Sequence, residues 1–105
     1  MTKTFRKKPL EVQAWEFPDT HNQQGEIKKQ LNDAGIQTHL YDYAVETSKQ
    51  PFEDGAYWRW TAVHVERDGT KLIAFIGDVI VLDPAEGLRV ISPQVFAATH
   101  EQMQP

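Results

Sequence analysis

The first regular element in the pattern of apolar and polar residues is an alternation near the N-terminus. Leu10, Val12 and Ala14 would share one face of an extended segment. Trp15 and Phe17 would lie on the opposite face, so either a bulge exchanges the two faces or both faces are partly covered. The pattern predicts a first β-strand here.

A helical spacing of apolar residues follows this strand. Ile27, Leu31 and Ala34 recur at intervals of three and four residues. Gly35 stands where a residue in the left-handed conformation often ends a helix. The spacing predicts an amphipathic helix over residues 23–34.

The middle of the chain is less regular. In residues 36–45 the alternating residues lie first at even-numbered positions and then at odd-numbered positions. This change favours an extended, irregular segment. Residues 48–55 are polar, contain Pro51 and end in Asp-Gly, so we expect an exposed loop there.

The C-terminal half has the pattern of a β-meander, in which β-branched and aromatic segments alternate with turns rich in Asp and Gly. The turns recur about every ten residues, which predicts one sheet of about four or five strands, curled or barrel-like. The predicted extended segments are 57–66, 71–76, 79–82 and 88–91.

Ser92 and Pro93 are typical of a helix start, so we expect a short C-terminal helical turn that places Phe96 against the sheet. The predicted fold class is therefore α+β, with residues 1–105 forming a single domain.

Composition narrows the functional classes. The 105-residue chain has 40% hydrophobic residues, a net charge of −4 and no Cys. No segment approaches the ~20 apolar residues of a membrane span, so we expect a soluble cytoplasmic protein. The acidic balance argues against a dedicated nucleic-acid binder. The lack of Cys excludes disulfides and zinc–thiolate sites.

Three blocks of the sequence resemble a family of small bacteriophage proteins. These proteins begin with a Lys-aromatic-Arg-Lys-Lys-Pro run, carry a Pro-Gly-Asp-aromatic-Ile-like turn and strand, and end near Asp-x-Phe-x-x-Thr-Tyr-Glu. The corresponding blocks here are FRKKP at 5–9, GDVIV at 77–81 and QVFAATHE at 94–101. Ile76, Val79 and His100 replace the family's Pro, aromatic residue and Tyr. The resemblance implies a phage origin and a small α+β fold, and it implies no chemistry.

The basic run Arg6-Lys7-Lys8 has two interpretations. It could bind phosphates, or its cations could keep an exposed strand edge soluble. Because alternate residues of a strand point apart, the three cations cannot all face one ligand. The run therefore favours edge protection.

The aromatic run Tyr57-Trp58-Arg59-Trp60 is the best candidate binding site in the sequence. Trp, Tyr and Arg are enriched at binding hot spots, and aromatic side chains on a sheet can also stack bases. The alternative is that Trp58 and Trp60 belong to the core of a small domain. We expect any interface to include this run and the adjacent 48–55 loop.

No catalytic or metal motif is present. His21, His39, His64 and His100 are scattered, and none is three or four residues from another, so we expect ordinary surface histidines. The Asp residues stand mostly where turns favour them, and Asp78 is predicted to serve a turn.

These observations predict a non-enzymatic phage accessory protein that acts by binding, without a cofactor, in the host cytoplasm. The predicted partner is a host bacterial protein that it engages or inhibits. A small-molecule or nucleotide-binding module and a minor virion-associated structural protein are the alternatives. The sequence leaves the oligomeric state open, with a homodimer as one alternative.

Overall fold

The computed structural model of the chain describes residues 12–42 and 59–99. In these residues it has two helices and six strands, which confirms the α+β class. The elements are β1 (Gln13–Glu16), α1 (His21–Asp33), β2 (Gln37–Tyr41), β3 (Ala62–Arg67), β4 (Thr70–Phe75), β5 (Val79–Asp83), β6 (Gly87–Ile91) and α2 (Pro93–Thr99).

The described strands form two three-stranded antiparallel sheets, with the orders β1-β5-β6 and β2-β3-β4. The prediction of one curled or barrel-like sheet of four or five strands was wrong, because the chain changes sheets between β4 and β5. At this point Gly77 N–H donates to the Phe17 carbonyl, and Phe17 N–H donates to the Asp78 carbonyl, both at 2.9 Å. These bonds lead β5 alongside β1 rather than alongside β4.

The three turns predicted from Asp and Gly are present. Asp68 and Gly69 adopt φ angles of 50° and 83° between β3 and β4, as a two-residue hairpin with the right-handed strand twist requires. The carboxylate of Asp83 accepts the N–H groups of Ala85 and Glu86 after β5. The Asp78 carboxylate accepts the Phe75 N–H at 3.0 Å, so its predicted role in a turn is confirmed.

β1 resolves the two-face ambiguity of the N-terminal pattern. Phe17 is buried and Trp15 packs against the core, whereas Ala14 is exposed. The core side of this strand is therefore the aromatic side. Leu10 lies outside the described residues.

Helix α1 confirms the predicted apolar stripe, although it begins two residues earlier than expected. Leu31 is fully buried, and Ile27 and Ala34 pack against the core. Gly35 follows with a φ of 84°. The Nη1 group of Arg67, at the end of β3, donates to the Ala34 and Gly35 carbonyls at 3.2 Å.

The inner faces of the two sheets and one side of α1 enclose a common core. Its buried members are Phe17, Leu31, Ile36, Val63, Val65, Ala74, Ile80 and Leu88. The extended conformation predicted for residues 36–45 is confirmed for residues 37–41, but these form a regular strand rather than an irregular segment, since every residue from Gln37 to Tyr41 is paired with β3. Residues 43–45 lie outside the described residues.

The C-terminal helix is longer than the predicted single turn. α2 has seven residues, and the Ser92 Oγ accepts the Val95 N–H at its start, as the sequence predicted. Phe96 is half-buried. Neither α2 nor α1, the two helices of the described residues, is long and apolar enough to cross a membrane.

Candidate functional site

The candidate site is the side of the β2-β3-β4 sheet that faces away from the core. Since side chains alternate along a strand, this side carries every second residue of each strand. We call it the outer face. The strand register arranges it in three rows: Gln37, Glu66 and Lys71; then His39, His64 and Ile73; then Tyr41, Ala62 and Phe75.

Large apolar side chains are exposed in two neighbouring rows of the outer face. Tyr41, Ile73 and Phe75 retain 39%, 44% and 53% of their accessible surface. Single exposed apolar residues are ordinary on a protein surface, whereas neighbouring ones on one sheet face indicate an interaction site. Ala62, between Tyr41 and Phe75 in its row, is fully buried.

Three rings meet in the middle of the outer face. The Tyr41 ring stacks on the His64 imidazole with centroids 4.1 Å apart and an angle of 26° between the planes. The same Tyr41 ring contacts His39 at 4.6 Å in a tilted arrangement. Ring contacts of this kind restrict the rotamers of the side chains, which lowers the conformational entropy lost on binding.

The polar end of the outer face carries one charge of each sign. Glu66 and Lys71 are directly opposite each other across β3 and β4. Within residues 12–42 and 59–99, neither side chain forms an ion pair. Their charges are therefore available to a ligand at the surface.

A shallow cleft of about 440 Å³ lies over the polar end and the rings. This volume is within the range of small-molecule pockets, but the cleft is open to solvent along the sheet. A second cleft of about 410 Å³ lies beside the turns near Asp68 and Pro84. Its Arg67 and Asp83 side chains already bond within the chain, so we consider the outer face the better candidate.

The outer face brings together two histidines that appeared scattered in the sequence. His39 and His64 are cross-strand partners. They do not form a metal centre, because the described part of the chain contains no group of three or more His, Cys, Asp or Glu residues that could hold an ion. Their contacts with Tyr41 make them part of a ring surface instead.

The four predicted binding residues are not gathered on the outer face as far as the structure describes them. Tyr57 and Trp58 lie outside the described residues. Trp60 is half-buried and packs against the core, which agrees with the core interpretation. The Arg59 Nη1 donates to the Asp19 carbonyl at 2.9 Å and lies 4.0 Å from its carboxylate. A binding role for this run stays a prediction.

Residues 6–8, the 48–55 loop and His100 also lie outside the described residues. The phosphate-binding and edge-protection interpretations of the basic run therefore both stay open. The predicted contribution of the loop to an interface stays a prediction as well.

Sequence reasoning missed the outer face because it did not assign β2. The strand alternates between odd-numbered positions, with Gln37, His39 and Tyr41, and even-numbered positions, with Thr38 and Leu40. This alternation was visible in the sequence. The pairing of His39 with His64 was not visible, because it depends on the register between two strands separated by twenty residues.

Comparison with known proteins adds no relative. No protein-family model, curated protein or solved structure matches this chain significantly. The resemblance to small phage proteins therefore stays a prediction.

Proposed function

We propose that this protein is a non-enzymatic binding protein that engages another protein through its outer face. The observation that carries the proposal is the exposure of Tyr41, Ile73 and Phe75 on one sheet face. Aromatic residues with polar residues around them are typical of the centre of a protein interface.

The dimensions of the outer face support a role as the centre of a contact rather than as the whole of it. Three strands of about five residues cover roughly 14 by 17 Å, or about 240 Å². A stable protein interface buries about 800 Å² on each partner. Neighbouring surface must therefore supply the remaining contact area.

The resemblance to phage proteins extends the proposal to the biological partner. In this extension the protein is a phage accessory protein that engages or inhibits a host bacterial protein in the cytoplasm. Its acidic charge of −4 then favours a partner with a basic surface.

The proposal predicts that removing the exposed apolar side chains weakens binding. In the double variant Ile73→Thr with Phe75→Ser, we expect the affinity for a partner protein captured from bacterial lysate and then purified to fall at least about tenfold, since interface centres carry most of the binding energy. Both replacements are exposed, and Thr is favoured in strands, so the fold should persist.

The matched control is Val95→Ser, because Val95 is similarly exposed, at 49%, but lies on α2. The control should bind like the unmodified protein. Equal affinities of the double variant and the control would contradict the proposal. Circular dichroism and calorimetry of both variants would verify that each is folded.

A small molecule is the second candidate ligand, and the ring cluster with its adjacent cleft supports this alternative. A planar base could stack on the Tyr41 and His64 rings. The described strands form two open sheets rather than a barrel, so such a ligand would bind the open cleft.

A further inference from the structure

The edge of β4 lies directly beside the exposed apolar residues of the outer face. β4 is an edge strand of its sheet, because β5 pairs with β1 instead. Ile73 and Phe75, two of the large apolar side chains exposed in the described part of the chain, both belong to this strand. An edge strand that exposes apolar side chains is a template for a further strand.

The strand register shows which backbone groups point out of this edge. In a two-residue hairpin the residues that flank the turn, here Arg67 and Thr70, exchange hydrogen bonds with each other. Because backbone groups alternate in direction along a strand, those of the even-numbered residues of β4 point toward β3. The N–H and C=O groups of Lys71, Ile73 and Phe75 therefore point away from it.

Part of this outward row is already bonded within the chain. The Phe75 N–H donates to the Asp78 carboxylate at 3.0 Å, and the Phe75 carbonyl accepts the Asp78 N–H at 2.9 Å. Within residues 12–42 and 59–99, the outward backbone groups of Lys71 and Ile73 have no such partner. Both residues are exposed, so two donors and two acceptors are open to another chain.

The edges of the other described strands are less suitable. The β2 edge lies alongside α1, and the Thr38 hydroxyl donates to the Asn32 Oδ1 at 2.7 Å. In the second sheet, every residue of β6 is at least partly buried. β1 exposes Gln13, Ala14 and Glu16, which offer little apolar surface. Open backbone groups and large exposed apolar side chains therefore coincide at β4.

A second copy of this chain does not fit the β4 edge. Antiparallel pairing of Lys71 with Ile73 of the other copy would place the turn of that copy beside Phe75, where Asp78 is already bonded. Pairing of Lys71 with its own counterpart would put two cations directly opposite each other. Pairing of Ile73 with its counterpart would put Lys71 opposite Phe75, whose N–H is engaged. A strand of a different protein has none of these conflicts.

We infer that the β4 edge binds an extended segment of the partner protein, which joins the β2-β3-β4 sheet as a fourth, antiparallel strand. This inference rests on the proposed function and specifies how the partner is held. Two residues of the segment exchange four backbone hydrogen bonds with Lys71 and Ile73. Their side chains lie on the outer face, where a β-branched apolar residue contacts Ile73. Because Glu66 lies opposite Lys71, backbone pairing and apolar contact select the segment rather than its charge.

The test uses the blocked peptide Lys-Thr-Val-Thr-Val-Thr-Lys and two N-methylated forms of it. The Val residues take the positions opposite Lys71 and Ile73, so methylation of both Val nitrogens removes the donors to β4. Methylation of the two Thr nitrogens that follow them alters N–H groups that point away from the edge. In NMR titrations of the full chain, the Val-methylated peptide should bind at least about tenfold more weakly than the Thr-methylated peptide. The amide proton signals of Lys71 and Ile73 should move to lower field on binding.

Ile73→Pro tests the same contact from the side of the protein, because it removes an N–H that the sheet itself does not use. Ile73→Thr also removes the apolar side chain but keeps this N–H. We expect Ile73→Pro to bind the unmodified peptide about fivefold more weakly than Ile73→Thr. Circular dichroism would verify that both variants are folded.

Ala14→Pro is the matched control at the edge of the other sheet. The Phe17 N–H points toward β5, so the N–H of Ala14, an exposed residue of β1, points away from β5. The control therefore removes an outward N–H without touching β4, and it should alter the affinity for the peptide less than about twofold.

Equal affinities for the two N-methylated peptides, equal affinities of Ile73→Pro and Ile73→Thr, or no peptide binding up to about 5 mM would each overturn the inference. If the captured partner still depends on the side chains of Ile73 and Phe75 in that case, only the strand addition fails. If the partner is indifferent to those side chains, the proposed function itself fails.

Discussion

At the scale of single residues, Gln24 explains how the segment that enters β3 is fixed to α1. Its amide is fully buried. The Nε2 group donates to the Pro18 carbonyl at 2.9 Å and to the Trp60 carbonyl at 2.8 Å, while the Oε1 accepts the Trp60 N–H at 2.9 Å. Because Gln24 is three residues before Ile27, it extends the apolar stripe of the helix with a polar group that the interior satisfies.

We expect Gln24→Leu to lower the free energy of unfolding by about 3 kcal/mol, because it leaves partly buried backbone groups of Pro18 and Trp60 without their partner. Urea denaturation followed by tryptophan fluorescence measures this change. Gln30→Leu makes the same replacement at an exposed position of α1 and should change stability by less than about 0.5 kcal/mol. A similar, small effect of both variants would contradict a stabilising role for the Gln24 amide.

At the scale of elements, the local sequence pattern predicted most of the features that depend on interactions between residues close together in the chain. The apolar stripe through Leu31 predicted the helix. Gly35, which has a left-handed conformation, predicted the end of the helix. The Asp68-Gly69 turn gave a hairpin. The burial of Gln24 could not be predicted, since its partners at Trp60 are distant in sequence. Polar Gln in a helix is otherwise expected to face water.

Two glycines of this helix region should respond oppositely to the same substitution. Gly25 lies inside α1 with open space around it, so Gly25→Ala should raise the free energy of unfolding by about 0.5–1 kcal/mol. Gly35→Ala should lower it by about 1–2 kcal/mol, because Gly35 has a φ of 84° and a Cβ there would lie 2.6 Å from the Arg67 Nη1.

Gly69→Ala separates the two contributions at Gly35. Gly69 has a similar φ of 83° but open space around it, so its substitution introduces only backbone strain. Thermal unfolding of the three variants measures the changes. A loss at Gly35 no larger than that at Gly69 would mean that displacement of Arg67 costs nothing.

At the scale of the whole molecule, the division into two sheets was the part of the fold that the sequence did not reveal. The turn near Gly77 looks like the other meander turns in sequence, yet its backbone bonds go to Phe17 in the first strand. Because β5 pairs with β1 instead of β4, β4 is an edge strand of its sheet, and the Phe75 side chain at its end is exposed. A site of this kind depends on pairing between strands that are distant in sequence, so the local sequence pattern does not predict it.

Global stability distinguishes a protein partner from a small ligand, because any ligand that binds only the folded state stabilises the whole molecule. At one hundred times its Kd, a ligand adds about 2.7 kcal/mol to the free energy of unfolding. For a domain of this size, that increase raises the Tm by on the order of 10 °C. The proposed function predicts that a panel of nucleotides and other metabolites leaves the Tm unchanged, whereas a purified protein partner raises it.

A metabolite that stabilises the unmodified protein but not Tyr41→Ala would instead assign the ring cluster to a small molecule, since Tyr41 contacts both imidazoles of that cluster. The Val95→Ser variant should respond like the unmodified protein in either case, because its substitution lies on α2.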